Sequence, residues 1–264
     1  MPSDDFAEQA PRIAAAFVSA RREARALLDY PGALPTRLAD GYAVQDAAIG
    51  LMGKRIGGWK VGRVNPPIGD VARLAGPIFA DRIVEANSEV PEMVIFSEGF
   101  GAAEAEYLLR IAAAPPIGKT RFTHEEAKAL IGGVHVGIEV ASSPFPGINS
   151  YGAPVTVSDF GNNNGLVIGA PIAGWQDDGF ESWAVELRIN GAVAGCGQAV
   201  DMLDGAIGAA RFLFEAMAER GISLDAGQWI SSGAVTGVHP VGVGDTVEAL
   251  FDGRMSVTCT IGAA

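Results

Sequence analysis

The chain is poor in the side chains that build soft-metal and redox sites. Its 264 residues include two cysteines, Cys196 and Cys259, and three histidines, His124, His135 and His239. No pair of these has the spacing of a zinc motif, so a bound metal would have to be held by oxygen, which favours Mg²⁺ or Mn²⁺. The two cysteines read as small core residues of a protein kept in a reducing compartment, and the expected location is cytoplasmic. The sequence has no Gly-x-x-x-x-Gly-Lys-Ser/Thr phosphate loop. It also has no apolar run of membrane-spanning length. Arg12, Arg21, Arg22 and Arg25 interrupt the N-terminal apolar residues, so no signal peptide is expected. Basic residues are scarce as well: 19 Lys and Arg stand against 31 Asp and Glu, a formal net charge of −12. That balance argues against nucleic acid as a partner. It leaves room for a small anionic ligand wherever a cation or a lysine reverses the local field.

What is present suits a packed globular protein of one large domain, or of one domain with an appendage: 48% of residues are hydrophobic and 19% charged. The stretch that organises the reading is Gly99–Arg110, which carries Glu104 and Glu106 among small and apolar residues. As a strand, it places Ala103, Ala105, Tyr107, Leu109 and Ile111 on one apolar face and both Glu on the other. Two carboxylates about 7 Å apart can reach one cation; without it they repel, and one pKa rises. Two other readings of the same residues stay open. The pair can sit on the wet face of a half-exposed strand, or the Ala-rich run can be helical, in which case residues two apart do not share a face.

The surrounding chain reads as follows. An amphipathic helix is expected over Arg12–Leu28, with Pro11 at its start and Ile13, Phe17, Ala24, Leu27 and Leu28 on its stripe. A second helix is expected over Ala39–Met52, ended by Gly57 and Gly58. Gly58–Gly62 reads as a short strand with Lys60 opposite Trp59 and Val61. The chain then looks irregular from Pro66 to Asp81. Val90–Phe96 is expected to be a strand, and Thr123–Glu126 resembles a capping box opening a short helix. Val134–Val140 alternates, with Glu139 opposite four apolar residues. Asp159–Gly165 is a polar turn before an apolar strand, and its three Asn can form the turn or offer amide donors. Asn190-Gly191 and Asp252-Gly253 mark two hairpins. Between the hairpins, Leu203–Arg220 reads as a helix closed by Gly221. The pattern is a helical N-terminal unit over residues 1–55 and a strand-rich body over 56–264, an α+β chain.

Taken in order, Tyr42-Ala-Val-Gln45, Gly58-Trp-Lys-Val-Gly62, Phe79-Ala-Asp81, Glu104-x-Glu106, Gly137-Ile-Glu-Val140, Asp159–Gly165 and Ala226–Ala234 resemble the 2-keto-4-pentenoate hydratases of the fumarylacetoacetate hydrolase superfamily. The resemblance runs from about residue 40 to the end. It implies a mixed β-sandwich roll that holds Mg²⁺ or Mn²⁺ through Glu104, Glu106 and Glu139. It implies catalytic contacts from Lys60 and Asp81, a substrate contact from Asn163, and assembly as a homo-oligomer. The chain departs from the pattern at Arg63-Val-Asn-Pro-Pro67, at Ala141–Ser143 and in the Asn-rich turn, the regions that should shape the substrate end.

The activity implied is metal-dependent hydration of a 2-hydroxy-2,4-dienoate to a 4-hydroxy-2-oxo acid, in the breakdown of aromatic ring-cleavage products. The same site could serve decarboxylation of a 2-oxo-3-enedioate or C–C hydrolysis of an acylpyruvate. A non-catalytic partner subunit with the same fold is the reading from another class. In each enzymatic case the partner is a small 2-oxo or 2-hydroxydienoic acid, with neither membrane nor nucleic acid involved.

Overall fold

The computed structural model describes residues 4–86, 89–177 and 179–264. Helix α1 runs Asp4–Arg22 with Pro11 inside it, so the expected span of Arg12–Leu28 is displaced toward the N-terminus. Ala24 turns left-handed at φ 51° and breaks the helix, and Leu27 N–H then donates to Pro144 O. Leu28 is 91% exposed, whereas Ile13 and Phe17 are buried as expected. Helix α2 runs Leu38–Met52 and ends at Gly53, whose φ of 63° lets its N–H reach Ile49 O. Gly57 and Gly58 therefore belong to the next element, strand β1 (Ile56–Ile68).

The segment expected to be irregular is a hairpin. Strand β1 pairs antiparallel with β2 (Val71–Phe79), with Lys60 opposite Gly76 and Arg63 opposite Arg73. The prolines at 66 and 67 hide this from pattern reading, because they lie in the strand's far end, after a cis Asn65–Pro66 bond. The remaining strands are β3 (Ile83–Glu85), β4 (Glu92–Ile95), β5 (Phe100–Ile111), β6 (Ile131–Ser143), β7 (Asn163–Pro171), β8 (Val185–Ile189), β9 (Ala192–Gly197), β10 (Trp229–Ser231), β11 (His239–Pro240), β12 (Thr246–Phe251) and β13 (Met255–Ala263). Helices α3 (His124–Ala129), α4 (Ala153–Ser158) and α5 (Gly205–Glu219) complete the described elements.

Two mixed sheets result, as expected for an α+β roll. One has the order β2-β1-β10-β5-β6-β7-β3, with β11 also on β5; the other has the order β4-β13-β12-β8-β9. The main core lies between them. Ala103, Ala105, Tyr107, Leu109 and Ile111 of β5 meet Leu187, Val247 and Phe251 of the second sheet and Phe214 of α5. A second apolar cluster joins Ile13 and Phe17 of α1 and Val44 of α2 to Phe79, Phe145, Val155 and Phe160. Both helices thus pack on segments of the strand-rich body. They lie in the unit expected over residues 1–55, whose first three residues fall outside the described ones.

Local chemistry explains the connections. Asn190, Gly191, Asp252 and Gly253 all have positive φ, as two-residue type I′ hairpins require. Thr123 and Glu126 form the reciprocal capping box of α3. Gly221 N–H donates to Ala218 O and Ile222 N–H to Met217 O, which closes α5 as a Schellman motif. That helix starts at Gly205 rather than Leu203, whose φ is +46°. Among the described residues, no helix is long and apolar enough to cross a membrane.

Candidate metal centre

Strand register creates the centre. In the β5–β6 pair, Glu104 lies directly opposite Glu139, and Glu106 lies two residues further along the same face. Because the Glu-x-Glu stretch is a strand, the odd residues go to the core and the two Glu point away from it. That second face is not wet: Glu104 is 3% exposed, and Glu106 and Glu139 are fully buried. One carboxylate oxygen from each of the three lies within 4.8 Å of the others.

Neighbouring strands supply the surroundings. Strand β10 lies between β1 and β5, which aligns Lys60 with Ser231 and Ser231 with Leu108. Lys60 Nζ lies 3.0 Å from Glu139 Oε1 and donates to Asn162 Oδ1 at 3.2 Å. Asn163 Nδ2 also donates to Glu139 Oε1, at 3.0 Å. Ser231 Oγ and the Gly233 N–H both donate to Glu106 Oε2.

Asn162 reaches Lys60 through an unusual turn. Phe160, Gly161 and Asn162 have φ of 58°, 62° and 60° in succession, a left-handed run that Asn and Gly accept and Phe does not favour. Gly76, opposite Lys60, makes room for it: a Cβ at that position would lie 2.1 Å from Phe160 O.

Three buried carboxylates against one ammonium is an unbalanced set, and the electrostatics show it. Burial pushes Glu104 up to about 7, with Lys60 opposing and Glu139 reinforcing the shift. Burial, then Glu139 and Glu104, raise Glu106 well above the usual carboxylate range. Burial disfavours the charge on Lys60, but Glu139, Glu104 and Glu106 outweigh it and hold the ammonium above its ordinary value. A divalent cation would offset the excess negative charge. The residues fit one: the donors are all hard oxygens, and Glu106 Oε1 and Glu139 Oε2 are buried with no hydrogen-bond partner among the described residues.

A cavity of about 890 Å³ opens onto this cluster, with Lys60, Glu104, Asn162 and Ser232 at its polar end. The Ser232 hydroxyl, on a residue 2% exposed, has no partner among the described residues.

Of the expected site residues, the structure brings together Lys60, Glu104, Glu106, Glu139 and Asn163. Asn163 stands behind Glu139 rather than on the cavity wall. Asp81 is not brought to the cluster. After β2 the chain enters a short 3₁₀ turn, Ala80–Arg82, and the Asp81 carboxylate pairs at the surface with Lys54 Nζ at 2.6 Å. The sequence reading missed Asn162 in its contact with Lys60, the Ser231–Gly233 turn that holds Glu106, and Arg21. The three consecutive Asn were the available signal for the first. No local signal marks Arg21, whose partners lie 121 to 143 residues away.

No family model matches the chain. Solved structures do. A 4-oxalocrotonate decarboxylase from Pseudomonas putida G7, complexed with magnesium and adipate, superposes with a TM-score of 0.80 at 22% identity, over 96% of this chain and 97% of that one. A fumarylpyruvate hydrolase from Pseudomonas aeruginosa, in complex with Mn²⁺ and pyruvate, gives 0.58 at 16% identity over 80% and 91%. A 2-hydroxyhepta-2,4-diene-1,7-dioate isomerase from Mycobacterium marinum gives 0.56 at 19% identity over 79% and 76%. The chain thus has the fold of these fumarylacetoacetate hydrolase superfamily enzymes, with a buried acidic triad that could bind a metal at the end of its cavity.

Proposed function

We propose that the protein is a divalent-metal-dependent lyase that hydrates a 2-hydroxy-2,4-dienoate to a 4-hydroxy-2-oxo acid. The observation that carries this is the convergence of Glu104, Glu106 and Glu139 with Lys60 at the buried end of an open cavity. Mg²⁺ or Mn²⁺ held by the three carboxylates would supply Lewis acidity to the adjacent carboxylate and keto oxygens of a 2-oxo acid. The protein's own groups do the rest. Lys60 has three N–H donors; Glu139 and Asn162 take two, which leaves one for an incoming carboxylate oxygen. The same ammonium is the group positioned to move a proton at the substrate. Ser232 Oγ offers a second donor at the same end of the cavity. Asn163 and the Ser231–Gly233 turn fix the orientation of Glu139 and Glu106. Asp81 at the surface takes no part in this scheme.

Decarboxylation of a 2-oxo-3-enedioate is the second reading. It is favoured by the near-complete superposition on the decarboxylase, whereas the hydrolase and isomerase match over about four-fifths of the chain. Acylpyruvate hydrolysis has less support. His135 and His239 are bound to backbone carbonyls of Gly169 and Thr236, and among the described residues neither is paired with a carboxylate that could activate water. The test is a screen of 2-hydroxydienoates, 2-oxo-3-enedioates and acylpyruvates with Mg²⁺ and Mn²⁺, followed by ultraviolet absorbance and CO₂ release. Loss of the conjugated absorbance without CO₂ supports hydration, and CO₂ release selects decarboxylation. Absence of turnover across the whole panel points to the non-catalytic partner subunit. Assembly as a homo-oligomer is part of the reading, and light scattering checks it.

A further inference from the structure

Away from the carboxylates the cavity wall turns apolar. Side chains two apart on a strand share a face, so beyond Lys60 the cavity face of β1 continues with Gly62 and Val64. Leu74 of β2 stands opposite Gly62 on that face. A Cβ on Gly62 would lie 3.1 Å from Leu74 Cδ1 and 3.6 Å from Lys60 Cε, so the leucine lies over the glycine beside the lysine stem. Val64 and Leu74 are buried and cluster with Val157. Arg63 and Arg73, opposite each other in register, belong to the other strand face, and Arg73 Nη1 is held 2.5 Å from Asp204 Oδ1. Further out, Leu34, Ile68, Tyr151, Leu203 and Val238 are exposed, and all five line this one cavity. Its volume of about 890 Å³ is near the top of the range for drug-sized ligands, about 300–1,000 Å³, and leaves ample room beyond a short dienoate.

Leu203 is set there against its own backbone preference. Its φ of 46° is left-handed, a region that a bulky side chain rarely adopts. The next residue holds it in place: the Asp204 carboxylate pairs with Arg73 on β2 and, at 2.8 Å, with Arg211 on α5. A strained residue that presents a half-exposed leucine to a cavity is the pattern of a ligand clamp.

The geometry points to a substrate with an apolar tail: a 2-oxo or 2-hydroxydienoic acid that carries an alkyl or aryl group beyond its reacting carbons. The tail runs along Val64 and Leu74, and Leu203 is the residue that selects for it. This rests on the metal-centred reading above and specifies its substrate class. The occupant is the far end of the ligand whose head lies at the metal, because Lys60, Glu104, Val64, Leu74 and Leu203 line one continuous space.

The test is a series of stable probes, 2-oxobutanoate, 2-oxohexanoate, 2-oxooctanoate and 2-oxoadipate, titrated by calorimetry into the Mn²⁺-loaded protein. Each buried methylene should tighten binding by about threefold to fourfold, so 2-oxooctanoate should bind at least about tenfold tighter than 2-oxobutanoate. The dianion 2-oxoadipate should bind more weakly than 2-oxohexanoate, whose chain has the same length. Leu203→Asn should cut the octanoate-to-butanoate ratio by about threefold or more, and Val64→Thr should lower it too. Asn accepts a left-handed backbone, so Leu203→Asn should melt no lower than the unaltered protein, which thermal denaturation checks. Equal affinities along the series overturn the proposal, as does tighter binding of 2-oxoadipate than of 2-oxohexanoate. A ratio that survives Leu203→Asn overturns the role of Leu203. If light scattering shows that variant dissociating an assembly while the ratio stands, the leucine belongs to a contact between copies instead. If no probe binds the loaded protein, the metal-centred reading falls, and this one with it. If 2-oxobutanoate binds and length adds nothing, only the tail assignment falls.

Discussion

Arg21 and Asp159 form a bidentate ion pair across 138 residues of sequence: Arg21 Nε donates to Asp159 Oδ1 at 2.6 Å and Nη2 to Oδ2 at 2.9 Å. The guanidinium also donates to Asn164 Oδ1 and Ser142 O, and it lies over the rings of Phe96 and Phe160. Its partners sit at both ends of the Asn-rich turn, so the last turn of α1 fixes the segment that delivers Asn162 to Lys60 and Asn163 to Glu139. Arg21→Met leaves a buried carboxylate unpaired and is expected to lower stability by about 3–5 kcal/mol. It should also weaken metal binding. Urea denaturation and Mn²⁺ titration, run on the same preparation, check both.

Glu106→Gln keeps an oxygen for the donors on Ser231 and Gly233 but removes a charge that its surroundings disfavour. The metal-free variant should be as stable as the unaltered protein or more so. Metal affinity should fall by about 100-fold or more, since groups that merely hydrogen-bond to ligands contribute 10–100-fold. Thermal denaturation with and without Mg²⁺ reads both effects, and retained metal-dependent turnover in Glu106→Ala would remove the triad from the mechanism.

The pH dependence follows from the same crowding. In the metal-free fold Glu104 titrates at about 7 rather than 4.5, so across that interval the folded chain holds a proton that the unfolded chain has released. Stability must therefore fall as pH rises through the window, by up to about 1.4 kcal/mol per pH unit for this one carboxyl. Glu106 is shifted in the same direction and adds to the effect. Saturating Mg²⁺ should flatten the slope and release protons on binding. Melting curves from pH 5 to 8, with and without the ion, measure the slope directly.

Gly76→Ala places a methyl group 2.1 Å from Phe160 O, against backbone that has little freedom to retreat. A loss of about 1–3 kcal/mol is expected, together with a lower kcat, because Asn162 moves away from Lys60. A variant with unchanged melting and turnover would show that the turn yields more easily than its packing indicates.

Asp81→Asn should change stability by less than about 0.5 kcal/mol, as for an exposed ion pair. Its turnover decides whether the catalytic contact implied by resemblance applies here. Loss of activity would mean that the segment after β2 moves toward the cavity during the reaction.

How much of this was readable in advance depended on how local each cause is. The alternation around Glu104, Glu106 and Glu139, the Asn-Gly and Asp-Gly turns and the Thr123 cap all depend on neighbours within a few residues, and the structure bears them out. The end of α1 does not: the stripe through Leu27 and Leu28 suggested continuation, but Ala24 adopts a left-handed conformation and Leu27 bonds to Pro144. Prolines 66 and 67 masked the β1–β2 hairpin, whose pairing rests on Lys60, Val61 and Gly62 meeting Gly76, Ala75 and Leu74. The partners of Arg21 were illegible because they meet it only once segments far apart in sequence lie side by side.

Strand β5 is hydrogen-bonded on both edges, to β6 along its length and to β10 and β11 on the other side. Backbone amides so enclosed exchange with deuterated solvent only when the whole molecule opens. Glu104 and Glu106 of the candidate metal centre therefore ride on a strand expected to exchange among the slowest in the chain, a preset frame rather than one remade by each ligand. Change in which ligand fits is then left to the residues lining the cavity away from the triad, such as Pro35, Arg63 and Tyr151, which lie outside that frame.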